Sequence, residues 1–177
     1  MNKITGILGA VTAALAISCA EGFEPEVVGT TRPSFDVING SAQALPSATG
    51  SGHTLVAGEL RTFSFFAQQN PDATARGTAE INNRFIDEMF QIDVDCLKIA
   101  GNVAIVSGVI TRHTDLHAVG LTGIFAVTDA GEGGHAVSDS VTQVFLFRPG
   151  TVTCQDPDPS DVRAFATPIV SGNVQVH

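Results

Sequence analysis

After residue 50 the apolar residues recur with period two rather than 3.6, and Gly, Pro, Asn and Asp interrupt them at short intervals. Thr62-Phe63-Ser64-Phe65 alternates polar and aromatic side chains, the pattern of a half-buried strand. Residues 76–82 are a weaker strand candidate. Along 85–96, Ile86, Phe90, Ile92, Val94 and Cys96 share one parity, and Met89, Gln91, Asp93 and Asp95 share the other. The first set is expected in the core and the second in water. Gly101-Asn102 separates Leu97-Lys98-Ile99 from Val103-Ala104-Ile105-Val106, and both residues accept positive φ, so a hairpin is expected there. Leu121, Gly123, Phe125 and Val127 define one face of a strand over 119–128. Another strand covers Val141–Phe147, and the last covers Val174–Val176, reaching back toward Ile169. The acidic, Gly-rich stretch after Thr128 and the Pro/Asp run 156–160 read as loops.

No segment after residue 20 sustains a helical period. The pattern therefore predicts an all-β domain over 51–177, an antiparallel barrel or barrel-like sandwich of seven or eight short strands. Closing the sheet removes its edges, which favours the barrel. A sandwich satisfies the same alternation. The chain of 177 residues suits one domain, and a hydrophobic content of 44% is too high for a disordered chain. Its formal net charge of -9 leaves no basic footprint for phosphate, so nucleic acid is not an expected partner.

The N-terminus reads as an address. Lys3 precedes an uncharged run, Ile4 to Ile17, which has the length of a signal core and is too short to span a bilayer. Ala16-Ile17-Ser18-Cys19 resembles a bacterial lipobox, although Ala16 stands where Leu is commonest. Lipidation of Cys19 would give several acyl chains, enough for stable membrane anchoring. In the rival reading, Ser18-Cys19-Ala20 is a small-x-small site and the product is secreted or periplasmic. The expected organisation is a signal and lipobox segment over 1–19, a flexible Pro/Gly/Ser-rich linker over 20–50, and the β domain. The expected location is the bacterial cell envelope.

Cys96 and Cys154 remain in the mature chain, an even number in an oxidising compartment, and are expected to pair. Such a bridge closes a long loop and stabilises by about 4 kcal/mol in the chain-entropy account. Neither Cys lies in a CxxC and neither has a close His, so a reactive thiol or metal site is disfavoured.

Four stretches resemble a family of uncharacterised exported bacterial β-proteins. These are Phe63-Ser64-Phe65; Val94-Asp95-Cys96-Leu97 with Gly101–Ile105 and Gly108–Arg112; Val127–Gly133 with Asp139; and the ending Gly172-Asn173-Val174-Gln175-Val176-His177. The resemblance implies an exported β domain and carries no catalytic residue with it. The lipobox, the linker and His113/His117 are not part of it.

Candidate chemistry is sparse. His113, Asp115 and His117 would share one side of a straight strand, with the two His about 13 Å apart, too far to share one ion without a turn. The plainer reading is a polar loop with exposed His, and His53 and His135 also read as loop residues. Asp129, Glu132 and Asp139 are weak calcium candidates in a Gly-rich acidic loop, without EF-hand spacing. A solvated hairpin loop explains them as well. Asp87, Glu88, Asp93 and Asp95 could supply paired carboxylates, but Asp93 and Asp95 are expected to face water. No G-x-S-x-G, H-E-x-x-H or P-loop motif is present. Trp and Tyr are absent, and the 11 Phe read as core. No catalytic residue, metal or cofactor is expected. The sequence favours a non-catalytic binding or surface-structural module for a protein or small-molecule ligand. The alternative is a small β-barrel enzyme or carrier of cyclase, isomerase or hydrolase type. The barrel interior separates the two, since a Phe-filled interior favours a structural role and a cavity holding Asp, Glu or Arg favours a ligand.

Overall fold

The computed structural model describes residues 44–131 and 138–177. Cys19, Glu132 and His135 lie outside them. Nine strands form one antiparallel sheet: β1 (Ser47–Val56), β2 (Glu59–Gln69), β3 (Ala75–Asn83), β4 (Glu88–Ala100), β5 (Val103–His113), β6 (Thr122–Thr128), β7 (Ser140–Thr142), β8 (Phe145–Phe147) and β9 (Ala166–Val176). β1 to β6 pair in succession, β6 pairs β7, β7 pairs β9 and β9 pairs β1, so eight strands close into a barrel. β8 is the extra strand and pairs β6 alone. The first five strands are longer than the alternation suggested, and β1 starts at Ser47, inside the stretch read as linker.

Turn chemistry sets the register. β1 and β2 join through Ala57 and Gly58, both at positive φ (53° and 84°), the turn that matches strand twist. Gly101 (φ 62°) opens the expected β4–β5 hairpin. Between β3 and β4, Asn83 Oδ1 accepts from the Phe85 N–H at 3.1 Å, an Asx turn. That turn takes Ile86 out of the strand. It is 55% exposed, not in the core where its parity placed it.

A bulge corrects a second parity. Val94 pairs Gly108 and Cys96 pairs Ser107, which leaves Asp95 as the extra residue on β4. One extra residue inverts the faces beyond it. Phe90, Ile92 and Val94 point inward before the bulge, and Leu97 and Ile99 after it. Cys96 turns outward and bonds Cys154 with a Cα separation of 5.7 Å.

The interior is layered by register. At one end, Thr54, Arg61, Asn83 and Glu88 form an inward row across β1 to β4. Below them lie Gly52, Phe63, Ile81, Phe90 and His113. The next row is Gly50, Phe65, Ala79, Ile92 and Ile110. Phe65 meets Phe125 edge-on with centroids 5.5 Å apart, which fills this level. Gly50 is required here, since a Cβ would stand 2.8 Å from both the Phe65 ring and Val174. The end holding Ser47 and His177 is therefore packed solid, and the end holding Arg61 is not.

β5 and β6 are buried on both faces. Outside them, Val103, Ile105, Ile124 and Ala126 form a second core with Cys154 and Val162. The covering segment runs from β8 to β9 and carries the short helix α1 (Pro159–Arg163), capped by Asp158. Lys98 Nζ donates to the carbonyls of Gln155 and Pro157, both at 2.9 Å. The disulfide and this lysine hold the flap against the wall.

Candidate functional site

The unfilled end of the barrel contains a cavity of about 310 Å³. Its volume is at the lower edge of the range for small-molecule pockets. Arg61, Asn83 and Glu88 supply polar wall, and Phe63, Ile81 and Phe90 supply apolar wall below. The opening exists because the wall breaks. Residues 141–147 are not one strand, as their alternation suggested. Thr142 Oγ1 accepts from the Ala126 N–H at 3.0 Å and donates to the Gln143 carbonyl at 2.8 Å. The hydroxyl takes the place of a ladder acceptor, so β7 ends there. β8 then pairs β6 and not β9, and Val144, Leu146 and Phe165 border the gap.

Arg61 shares the inward parity of Phe63 and Phe65. Among the described residues its Nε is buried without a hydrogen-bond partner, and no carboxylate lies within ion-pair distance of its guanidinium. Asn83, by contrast, is engaged: Nδ2 donates to Glu59 Oε2 at 3.2 Å. The sequence reading did not single out Arg61. The signal was present, since the Phe63/Phe65 alternation extended back by two residues places Arg61 inside.

His113 is buried rather than exposed, a correction to the polar-loop reading. It ends β5 with its ring 4.3 Å from that of Phe90. The Asp115 N–H lies 2.8 Å from its Nδ1, and the Asp115 carbonyl lies 3.0 Å from the same nitrogen. Nε2 faces Glu88 Oε1 at 3.7 Å, beyond hydrogen-bond length. Asp115 instead caps a single 3₁₀ turn, Leu116–Ala118, by accepting from the His117 N–H at 3.0 Å. His117 lies exposed in that turn, so the three residues do not converge. His53 lies in β1, not in a loop.

The calcium candidates serve the backbone. Asp129 Oδ2 accepts from the Val176 N–H at 3.1 Å, and Asp139 Oδ2 accepts from the Val174 N–H at 2.7 Å. Asp139 Oδ1 accepts from the Ala130 N–H at 2.8 Å. Glu132 is outside the described residues. Among those residues no cluster of three His, Cys, Asp or Glu could hold a metal. Of the paired carboxylates, Glu88 lines the cavity, Asp93 and Asp95 are exposed on the outer wall, and Asp87 lies in the β3–β4 connection.

A wider depression of about 530 Å³ lies on the outer wall, between small side chains such as Ser51 and Ser64. It is an open part of the solvated sheet surface and contains no inward-facing cation. The mouth cavity, with its ordered polar rim and apolar floor, is the stronger candidate. Comparison with protein-family models, with curated proteins and with solved structures gives no match.

Proposed function

We propose that this is an exported, lipid-anchored β-barrel that binds a small amphipathic anion in its mouth. The observation that carries the reading is Arg61, a cation inside the barrel with a buried Nε and no partner among the described residues. A buried donor without a partner is costly, and a carboxylate is the acceptor best matched to a guanidinium. The row order sets the pose. The acid group meets Arg61 at the rim, and the apolar body lies on Phe63, Ile81 and Phe90 below it. Glu88 stands about 10 Å from Arg61, two strands away, and can accept from a hydroxyl or amine on the same ligand.

Export is supported by Lys3, the Ile4–Ile17 run and Cys19, and by the likeness to exported β-proteins. The Cys96–Cys154 bond fits an oxidising compartment. The membrane is then a partner through the anchor at Cys19, or the chain is released if the alternative cleavage operates.

Decanoate titrated by calorimetry tests the binding reading. The wild-type chain should bind it, and Arg61→Ala should bind about tenfold or more weakly, the worth of a charge-assisted hydrogen bond. Equal affinity in the variant, or no binding by the wild type, overturns it. The enzyme alternative draws on one observation, His113 Nε2 facing Glu88 on the cavity wall. An acid–base role for that pair would show as ligand turnover lost in Glu88→Gln while binding persists.

A further inference from the structure

Most of the large apolar side chains that this barrel leaves in water lie at one end, around the mouth. The β1–β2 hairpin carries Leu55 and Leu60, paired across the strands on the outer face. The β3–β4 turn carries Phe85, 75% exposed, and Ile86. The β5–β6 connection carries Leu116, 81% exposed, and Val119. Phe165, beside the wall break, is 60% exposed. The register places all these segments at the end of the barrel opposite Ser47 and His177.

Charge is divided in the same way. At the mouth end Arg61, Arg84 and Arg148 stand against Glu59, Asp87, Glu88 and Asp115. Elsewhere in the described residues, four cations, Arg76, Lys98, Arg112 and Arg163, stand against nine carboxylates. An anionic surface therefore repels the end with the apolar tips less than the rest of this domain. Arg84 sits directly beside Phe85 and Ile86, an arrangement in which the guanidinium can reach headgroups while the neighbours enter acyl chains.

We infer that the mouth end docks on a phospholipid surface, with the tips of the β1–β2, β3–β4 and β5–β6 connections entering the interface around the cavity. The tips lie on three separate connections around the rim. A protein partner would have to match that arrangement with shape complementarity, whereas a lipid surface deforms around each tip. The outer wall presents Asn173, Ser51, Ser64, Glu80, Gln91 and Arg112 in one row across six strands. That polarity is opposite to a barrel that spans a bilayer, so the contact is end-on. The inference rests on the mouth-binding reading and narrows it: the ligand is a lipophilic acid taken from the lipid phase, apolar part first.

The absence of Trp and Tyr makes the test direct. Single reporters Phe85→Trp and Leu116→Trp are placed at the tips, and Phe66→Trp on the outer wall. Each full-length exported chain is mixed with phosphatidylethanolamine–phosphatidylglycerol vesicles. Both tip reporters should shift to the blue and be quenched by brominated acyl chains, and the wall reporter should do neither. Tip reporters that keep aqueous emission overturn the inference. A shift in all three reporters means general adsorption and overturns it too. A tip shift that depends on protein concentration without vesicles means the tips meet a second copy, which also overturns it. In chains that also carry Cys19→Ser and so have no acyl anchor, the double variant Phe85→Ser/Leu116→Ser should lose at least tenfold in vesicle binding and still bind decanoate from solution. Failure of decanoate binding with intact tip insertion would remove the ligand reading alone.

Discussion

Asp139 Oδ2 accepts the backbone N–H of Val174 at 2.7 Å in a buried setting. The pair explains how the barrel closes with a strand that is too short. β7 covers β9 only from Ala166 to Pro168, which would leave the amides of Val174 and Val176 facing an empty lane. Asp139 and Asp129, at the two ends of the β6–β7 connection, put carboxylate oxygens where a neighbouring strand would put carbonyls. Two side chains thus complete the ladder.

Asp139→Ala should therefore unfold more readily by about 2–3 kcal/mol, because two N–H groups lose a charged acceptor. Asp139→Asn should fall between the two, since its amide offers one acceptor and turns donors toward the other N–H. Urea unfolding of the three chains reads this order. Calcium should leave the wild-type melting temperature unchanged, because binding would have to draw both carboxylates away from these amides.

The disulfide predicts a redox-dependent stability. Cys96 and Cys154 close a loop with a sequence separation of 58, worth about 4 kcal/mol in the chain-entropy account. Cys96→Ser should lower the melting temperature under oxidising conditions, and reductant should bring the wild type down to the variant. A variant that stays less stable than the wild type in reductant would show that the Cys96 side chain acts through packing instead.

Much of this architecture was legible because alternation is local. Phe63 with Phe65, and Gly123 with Phe125 and Val127, have the faces their parity assigns. The misses occurred where a distant group decides. The bulge at Asp95 sends Cys96 outward toward a cysteine 58 positions away. The break after Thr142 depends on the Ala126 amide across the wall. Ile86 follows the Asx turn made by Asn83, which competes with the strand. Arg61 was readable in principle, but a charged residue beside a strand start is ordinarily given to solvent. Only the closed ring shows it facing a cavity.

The flap over β5 and β6 should loosen in acid. Asp156 and Asp158 have carboxyls held below their ordinary value of 3.8, first by hydrogen bonds from Thr153 and Ser160 respectively, with Lys98 adding attraction. A carboxyl lowered in the folded state stabilises above its unfolded value, and that contribution is lost as pH falls through the folded value. Flap amide exchange should therefore rise relative to barrel exchange below pH 3.8. Asp156→Asn/Asp158→Asn should show faster flap exchange at neutral pH and less further change in acid.

The β1–β2 turn offers a gain in stability. Ala57 sits at φ 53° with Gly58 at 84°. An L-residue with a plain Cβ is strained there, and Asn tolerates the left-handed region through local hydrogen bonding. The Ala57 position is a hairpin tip, so the exchange disturbs no core contact. Ala57→Asn should raise stability by roughly 0.5–1 kcal/mol, seen as a higher melting temperature. Ala57→Val, β-branched at the same φ, should lower it. A melting temperature unmoved by both changes would mean that this turn is not under the backbone strain its angles indicate.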